Sequence, residues 1–397
     1  MKYVRFGELY KIPSCNGLSR PSAVRGEGYK MVNMGELFSN DIINDMYMER
    51  VQMSERELKK FLLENGDLLF ARQSLVASGA GKCSIVNNIT EKTTFESHLI
   101  RVRLDESIAN PLYYYYLFQL PYNPVKTIVN QCAQAGIRGT ELVRIKVPLP
   151  AIEHQNTIAN ALFQYDKLIE NNNKRIRLLE QMAENLYKEW FVRFRFPGYE
   201  DVEIKNDIPK NWSTRKLKDI VKKSGKSIKR ENLTENLKYV PIDCIDSKTM
   251  VLLKNDDLEN ASSSLQTFKT NDILFGAMRP YFHKVSLSHF VGVTRTTCFV
   301  IAPKKKEYKY FLYLLLFQEA TVNFATTISV GSTMPYVRWE DFIRMNVVVP
   351  DIETAKKFSM EIDPLMKTMQ NLSEINKLLA RQRDMLLPRL MSGKLEV

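Results

Sequence analysis

The stretch NGDLLFA at residues 65–71 decides the fold of this chain, because it returns as TNDILFG at residues 270–276. An arginine follows each copy, Arg72 in the first and Arg279 in the second. Two further pairs keep the same order. LYYYYLFQ at 112–119 matches FLYLLLFQ at 311–318, and LVRIKVPLP at 142–150 matches FIRMNVVVP at 342–350. The copies lie about 200 residues apart, which is too long for a solenoid repeat and indicates a duplicated half-chain.

Length and composition indicate an ordinary soluble protein. The chain has 397 residues, of which 44% are hydrophobic and 26% charged, so a disordered chain, a collagen and a disulfide scaffold are excluded. Such a length favours two or three domains. Cys15, Cys83, Cys132, Cys244 and Cys298 form no CxxC pair, which is typical of reduced thiols in the cytoplasm. The longest apolar runs have about eight residues, against the roughly 20 that span a bilayer, so we expect no membrane association.

Each half begins with a mixed domain. Residues 67–70 and 98–104 have the composition of strands, and the aromatic-rich runs after Pro111 and Tyr308 predict buried helices. Strands ending at proline close each domain near residues 150 and 350. The expected segments are a domain over 1–150, a helix over 151–196, a second domain over 197–350 and a second helix over 351–397.

The segments after each domain predict long helices with one apolar stripe. Apolar residues recur at steps of three and four, the a/d pattern of a coiled coil. The predicted seam consists of Ile169, Asn172, Ile176, Leu179, Ala183, Leu186 and Trp190 in the first helix, and of Met369, Leu372, Asn376, Leu379 and Leu386 in the second. Arg383 interrupts the second seam. Pro364 and Pro388 are expected to limit the second helix to about 365–387. In the first helix, Glu180 is assigned to a solvated face.

A lone stripe needs a partner, and the other copy is the obvious one. The fold class expected is therefore α+β, with two similar α/β domains joined by two long helices that pair as an antiparallel coiled coil. Asn172 and Asn376 would help to fix the register. The alternative is that each helix simply packs on its own domain.

The net charge of +12 is unevenly distributed. Residues 1–150 carry +4, residues 151–200 carry none, residues 201–350 carry +7 and residues 351–397 carry +1. A protein of membrane surfaces more often loads its amphipathic helices with Lys and Arg. Two basic domains beside neutral helices instead favour two contacts with one long polyanion, and nucleic acid comes first.

The sequence lacks the motifs of an enzyme. It contains no GxxxxGK[ST] phosphate loop, no GxGxxG after a strand and no Asn-Pro-Pro-aromatic methyltransferase motif. The four histidines show no metal-ligand spacing. Asp243, Asp246 and Lys248 faintly suggest a nuclease carboxylate set, but a solvated turn is the simpler interpretation. We therefore predict neither catalysis nor a metal site in this chain.

Several motifs resemble one known family, the specificity (S) subunits of type I restriction–modification systems. GDLLFAR at 66–72 and NDILFGAMR at 271–279 are similar to the "GDILF-x-R" segment of its target recognition domains. KVPLPAIEHQNTI at 146–158 resembles the "IPLPPLxEQxxI" entry to the first conserved helix, while the second copy has Ala355 in place of the glutamine. LLPRLMSGKL at 386–395 resembles the family's "LLPkLlSGki" terminus.

The resemblance implies a non-catalytic, DNA-binding role in the cytoplasm. Each target recognition domain would read one half of a bipartite double-stranded DNA target, and the helices would set the unread gap. Two methyltransferase (M) subunits would dock on the helices and carry S-adenosylmethionine. Restriction (R) subunits, with ATP and Mg, would join for cleavage. This chain itself would hold no cofactor.

Candidate DNA contacts lie in loops and in one basic run. The loop after each GDLLF-like strand offers Arg72, Gln73, Ser74 and Lys82 in the first domain and Arg279, Tyr281, His283 and Lys284 in the second. The glycine-containing loops before the closing strands offer Arg138 and Thr140, and Ser332 and Thr333. Lys226, Lys229 and Arg230 are expected to face phosphates. The alternative for each residue is an ordinary solvated surface group.

Two rival functions remain open at this point. A DNA-mimicking anti-restriction protein would be acidic, whereas this chain is basic. A self-contained methyltransferase–nuclease would carry the catalytic motifs that are missing here.

Overall fold

The computed structural model describes residues 2–21, 25–75, 79–131, 135–262 and 264–395, so Cys132 lies outside the described residues. The chain forms two compact units. Unit 1 comprises Met1–Leu168 and Leu379–Val397, and unit 2 comprises Ile169–Leu378. Both boundaries fall within long helices, and the division into four segments stays a prediction.

Unit 1 is built on a five-stranded sheet. Its strands are β1 (Tyr3–Arg5), β2 (Tyr10–Asn16), β3 (Arg25–Val32), β4 (Ile42–Ile43), β5 (Arg50–Val51), β6 (Leu68–Ala71), β7 (Gln73–Ser74), β8 (Cys83–Val86), β9 (Thr93–Phe95), β10 (Leu99–Leu104), β11 (Asn130–Gln131), β12 (Ala135–Gly136) and β13 (Lys146–Pro148). Its short helices are α1 (Met34–Ser39), α2 (Glu55–Phe61), α3 (Pro111–Gln119) and α4 (Gly139–Leu142), and the long helix α5 (Ile152–Tyr187) follows. The main sheet has the order β2-β10-β6-β8-β4, and smaller sheets are β5-β3-β9, β11-β12-β7 and β1-β13. Helix α3, the predicted tyrosine-rich helix, packs its buried aromatic rings on the main sheet.

Unit 2 repeats the core of this arrangement. Its strands are β14 (Ile204–Lys205), β15 (Ile208–Pro209), β16 (Ser213–Lys216), β17 (Val221–Lys223), β18 (Ser227–Ile228), β19 (Lys238–Tyr239), β20 (Leu265–Phe268), β21 (Ile273–Gly276), β22 (Val285–Leu287), β23 (Gly292–Arg295), β24 (Cys298–Pro303) and β25 (Asn346–Val349). Its helices are α6 (Lys309–Phe317), α7 (Glu319–Thr327) and α8 (Trp339–Phe342), and α9 (Ile352–Met391) follows. The order β17-β24-β21-β22 corresponds to β2-β10-β6-β8, and the pair β16-β25 corresponds to β1-β13.

The repeated motif forms the same turn and strand in both units. Gly66 has φ 93° and Asn271 has φ 71°, a left-handed conformation that glycine and asparagine adopt most readily. The next residue accepts a hydrogen bond across the turn, from Glu64 N to Asp67 at 2.8 Å and from Lys269 N to Asp272 at 2.8 Å. The buried strands β6 and β21 follow. The polar residues of the motif therefore form the turn, and its apolar residues form part of each core.

Helix α9 is longer than the sequence predicted. It runs through both Pro364 and Pro388, so the expected limits near 365 and 387 were wrong. A proline inside a helix removes one backbone hydrogen bond and crowds the preceding turn. At Pro364 the flanking residues Phe358, Ile362 and Met369 are fully buried in unit 2, and this packing keeps the helix continuous.

The predicted seam residues are buried or half-buried along both helices. Ile176 and Ala183 of α5, Trp190 in the helical turn after it, and Met369 and Leu372 of α9 belong to the core of unit 2. The others lie at its edge or are half-buried: Ile169, Asn172, Leu179, Leu186, Asn376, Leu379 and Leu386. The seam residues of α5 that enter a core therefore pack in unit 2, the unit that follows this helix, whereas the alternative interpretation expected each helix to pack on its own domain.

Polar contacts join the two long helices. In unit 2, Asn172 Nδ2 donates to Asn376 Oδ1 at 2.8 Å, and Asn376 Nδ2 donates to Asn173 Oδ1 at 2.9 Å. In unit 1, Arg383 pairs with Asp166. Burial disfavours the charge of Arg383, but Asp166 and Asp384 together outweigh this and raise the pKa of the guanidinium. The residue that interrupts the apolar pattern thus has an ionic partner.

Glu180 does not lie on a solvated face. It is 8% exposed, and its Oε1 accepts a hydrogen bond from Met250 N at 2.6 Å. Burial raises the pKa of this carboxyl, and the bond from Met250 opposes the rise.

Among the described residues, every helix is too short or too polar to cross a membrane.

Candidate nucleic-acid interface

In unit 1 the two predicted contact loops are held together by backbone hydrogen bonds of Arg72, and we call this contact the joint. Arg72 N donates to His98 O at 2.8 Å, and Arg72 O accepts from Ile137 N at 2.9 Å. Strand β12 pairs with β7, which places Gly136 opposite Gln73. A Cβ on Gly136 would lie 3.0 Å from Arg72 O, so glycine allows this close approach. The joint brings two loops from distant parts of the sequence into a single surface.

The candidate side chains of unit 1 border this joint. Arg72, Gln73 and Ser74 are half-buried, whereas Arg138 and Thr140 are exposed at the start of α4. Arginine can donate two hydrogen bonds to the edge of guanine, and glutamine can donate one and accept one at the edge of adenine. Their clustering gives unit 1 a polar surface with two guanidinium groups.

Unit 2 contains the same joint, built from equivalent atoms. Ala277 N donates to Thr297 O at 2.8 Å, and Ala277 O accepts from Val337 N at 2.9 Å. Arg279 then connects the two loops a second time, because its N donates to Pro335 O at 2.7 Å and its Nη2 to Thr333 O at 3.3 Å. Ser332 and Thr333 are exposed beside it.

The backbone bonds revise the correspondence between the two arginines of the repeat. Ala71 and Gly276 occupy equivalent positions, since each donates to the carbonyl of a lysine, Lys82 or Lys284. The structural equivalent of Arg72 is therefore Ala277, and Arg279 lies two residues further along. The two units thus present their guanidinium groups at different points of the loop.

Lys82 and Lys284 are already engaged within their own units. Lys82 Nζ donates to Phe38 O at 2.8 Å and lies 3.1 Å from Asp41. Lys284 Nζ donates to Ile242 O at 2.9 Å. Both lysines hold a neighbouring loop, which explains their recurrence without a DNA contact.

His283 does not fit its predicted role as a DNA contact. It is 4% exposed, and its Nε2 lies 2.7 Å from Phe317 O. Burial lowers the pKa of this imidazole, so the ring is neutral near pH 7. A buried neutral ring cannot reach a phosphate or a base, and His283 instead anchors the loop.

The basic run lies at β18, in a second sheet of unit 2 that has the order β18-β20-β23-β19. Lys226, Lys229 and Arg230 are exposed, and Arg230 Nη2 donates to Glu259 O at 2.8 Å. Strand β18 pairs Ile228 with Leu265, which in turn pairs with Arg295. Arg295 is exposed two residues before the Thr297 carbonyl of the joint. The second sheet therefore connects the basic run to the loop surface.

Arg338 is the functional candidate that sequence reasoning missed. It is exposed at the start of α8, the position that Arg138 occupies at the start of α4. The two arginines are 200 residues apart, which is the spacing of the third repeated stretch. Closer use of the repeat would have found it.

Among the described residues, no group of three His, Cys, Asp or Glu side chains is placed to hold a metal ion. Asp246 is instead paired with Lys254 Nζ at 2.6 Å, and Lys248 with Glu319 at 2.8 Å.

Two α/β units with equivalent loop joints, together with two long helices that each contribute to both units, define a duplicated two-unit protein. The sequence model described as "Type I restriction modification DNA specificity domain" matches residues 1–181 and 209–381. These ranges cover most of the chain, which therefore belongs to the family of type I restriction–modification DNA specificity domains.

Individual relatives agree with this assignment. The MjaIX specificity subunit of Methanocaldococcus jannaschii is 27% identical over 312 residues, covering 74% of this chain and 70% of the relative. The EcoKI specificity subunit of Escherichia coli K12 is 28% identical over 192 residues, covering 44% and 39%. The crystal structure of an S subunit from M. genitalium has the same fold, with a TM-score of 0.55 at 14% identity over 98% of this chain and 95% of that one.

Proposed function

We propose that this chain is the DNA-reading, non-catalytic subunit of a type I restriction–modification complex, and that each unit reads one half of a bipartite target. The observation that carries this proposal is the repeated joint at Arg72 O–Ile137 N and Ala277 O–Val337 N. In both units it unites the same two loops, and arginines border it: Arg72 and Arg138 in one, Arg279 and Arg338 in the other. Family membership supplies the class of ligand.

The long helices set the gap between the half-sites by pairing in antiparallel fashion. Support comes from contacts within unit 2. Asn172 of α5 bonds to Asn376 of α9. Trp190, in the helical turn that continues α5, lies 5.4 Å from Phe358, earlier in α9, measured between ring centroids. Partners that advance along one helix and retreat along the other are typical of antiparallel packing.

Two methyltransferase subunits dock on the outer faces of these helices. Leu178 and Met182 of α5 are 59% and 54% exposed, and Leu378 and Met385 of α9 are 59% and 53% exposed. Exposed apolar side chains at helical spacing favour a protein partner over water. The partners carry S-adenosylmethionine, and the restriction subunits that join for cleavage carry ATP and Mg, so no cofactor is required here.

Arg279→Ala tests the reading role. The target is first determined by methylome sequencing of cells that express the chain with its methyltransferase subunits. In gel-shift titrations with the assembled complex, the variant is expected to bind the cognate duplex about tenfold more weakly, because one arginine–base contact contributes about 1–3 kcal/mol.

The control is Arg215→Ala, which removes an exposed arginine of β16 in the same unit and should leave affinity unchanged. Wild-type affinity of Arg279→Ala, with the complex assembled, would contradict the assignment. Titrations without methyltransferase subunits separate a dependent reader from a stand-alone DNA binder.

A further inference from the structure

Unit 2 exposes an apolar patch beside its joint. The proposed function assigns no part to this patch. Tyr281 is 48% exposed, Phe282 is 44% exposed, and Met334 and Tyr336 are 58% and 45% exposed. Arg279 joins the two segments that carry these side chains through its bonds to Pro335 and Thr333. Clustered exposed apolar residues generally mark a binding surface.

The backbone holds the two aromatic residues rigidly. Pro280–Phe282 forms one short 3-10 turn, which we call the aromatic knuckle. The residues on either side, Arg279 with φ 48° and His283 with φ 52°, both adopt the left-handed conformation. That conformation is strained for side chains of this size and persists only where the surroundings fix it. Here the surroundings are the Pro335 carbonyl on one side and the buried Phe317 carbonyl on the other.

The arrangement of the rings decides how they can touch DNA. Their centroids lie 4.8 Å apart and their planes are inclined by 54°. Each ring therefore already covers part of its neighbour, and roughly half of each residue is available. A wedge that separates stacked bases must offer both faces of its side chain. The knuckle instead offers one apolar surface, which fits a small apolar group on a base edge.

The charges around the knuckle favour DNA as its occupant. Arg279 connects it to the neighbouring loop, and exposed Arg338 lies two residues after Tyr336 at the edge of the patch. The other charged groups nearby are of both signs. Lys248 is paired with Glu319, and the acidic residues Glu340 and Asp341 lie in the first turn of α8. The half-buried Arg279 donates Nη2 to Thr333 O within the patch, and exposed Arg338 borders it, as expected for a surface that must also meet phosphates.

Resting on the proposed function, we propose that the aromatic knuckle reads thymine in the second half-site, through contact of Tyr281 and Phe282 with the thymine 5-methyl group in the major groove. That methyl is the one apolar group that distinguishes base pairs in this groove, and phenylalanine is among the side chains that contact it. In the sequence of unit 1, Leu75, Val76 and Ala77 stand where Pro280, Tyr281 and Phe282 stand in unit 2, so the aromatic pair is particular to the second copy.

The test replaces each thymine of the target, one at a time, by deoxyuridine, which pairs identically but lacks the methyl group. The full-length chain is titrated in complex with its methyltransferase subunits. At one thymine of the second half-site, the replacement is expected to weaken wild-type binding about fourfold, the effect of burying one methyl group. Phe282→Ala, or Tyr281→Ala, should bind the unmodified duplex more weakly and lose this sensitivity to deoxyuridine.

The matched control is Tyr47→Ala, which removes a 93% exposed tyrosine of unit 1 and should keep wild-type affinity and sensitivity. The inference is overturned if the second half-site contains no thymine, or if deoxyuridine has no effect there on wild-type binding. It is also overturned if the knuckle variants bind DNA normally but lose methyltransferase subunits. Absence of any sequence-specific binding by the wild-type complex would instead overturn the proposed function itself.

Discussion

At the scale of single residues, the aspartate of the repeated motif accepts the same turn hydrogen bond in both units but has different neighbours in each. Asp67 and Asp272 accept the same turn hydrogen bond, and burial raises the pKa of both carboxyls. Asp67 also receives Nε and Nη2 of Arg103, each at 2.7 Å, whereas Asp272 receives the Ser224 hydroxyl at 3.0 Å. The turn is therefore common to both copies of the motif, whereas the ion pair with Arg103 is found at Asp67 and a hydroxyl takes its place at Asp272.

Glu180 makes stability depend on pH. Its carboxyl has an ordinary pKa of 4.5, and burial raises that value in the folded chain. The folded state then holds the proton more strongly than the unfolded state. This carboxyl's contribution to stability is therefore fully present below pH 4.5 and is lost as pH rises through the raised pKa.

Glu180→Gln should remove this loss, because the amide oxygen can still accept from Met250 N and carries no charge. The free energy of unfolding at pH 7 is expected to rise, and urea titrations between pH 4 and pH 7 should show a flatter profile than wild type. Glu180→Ala should cost about 1–3 kcal/mol, since it leaves a buried N–H without a partner. Glu170→Gln, at an exposed position of α5, is the control and should change stability by well under 1 kcal/mol. Identical pH profiles of wild type and Glu180→Gln would show that the buried charge has no such effect.

At the scale of elements, local patterns were predictable and packing between distant segments was not. The repeat, the strands β6 and β10 and the buried helices α3 and α6 follow from short-range patterns, and these predictions agree with the fold. The burial of Glu180 and His283 depends on Met250 and Phe317, which no periodicity connects to them. The arginine found after each copy of the motif also suggested that Arg72 corresponds to Arg279, whereas the backbone bonds pair Arg72 with Ala277.

The start of α5 illustrates the same limit. Gln155 is fully buried, its Oε1 accepts from Asn110 N at 2.8 Å, and its Nε2 donates to the carbonyls of Ile108 and Pro150. In unit 2 the equivalent Ala355 is buried, and Asp351 instead accepts from Trp212 Nε1 at 3.2 Å. The sequence showed that the glutamine was missing from the second copy, but not that Asp351 and Trp212, which are 139 positions apart, form a hydrogen bond there.

The asparagine contact between α5 and α9 gives a prediction at this scale. Asn172→Leu alone should cost about 1 kcal/mol, because Asn376 Oδ1 loses its donor in a half-buried place. The double variant Asn172→Leu, Asn376→Leu should recover this loss or exceed wild-type stability, since apolar residues at seam positions are more stabilising than a polar pair. Urea unfolding of all four proteins completes the double-mutant cycle. Asn173→Ala, which removes only the exposed second acceptor, serves as the control. Losses that simply add would mean that the two side chains do not interact in solution.

At the scale of the whole molecule, the proposal that two helices set the gap can be tested by lengthening both. Seven residues inserted after Lys174 of α5, together with seven after Glu374 of α9, extend each helix by about 10 Å at 1.5 Å per residue and keep the a/d phase. Both positions are exposed, and they leave Glu180 against Met250. Because base pairs are stacked about 3.4 Å apart, the unread gap is expected to grow by roughly three base pairs while both half-sites keep their sequence. Methylome sequencing reads the gap directly.

A seven-residue insertion in α5 alone is the matched control, and it should impair methylation because the partner helix no longer matches. An unchanged gap in an active complex with both insertions would mean that something other than the helix pair sets the distance between the two readers.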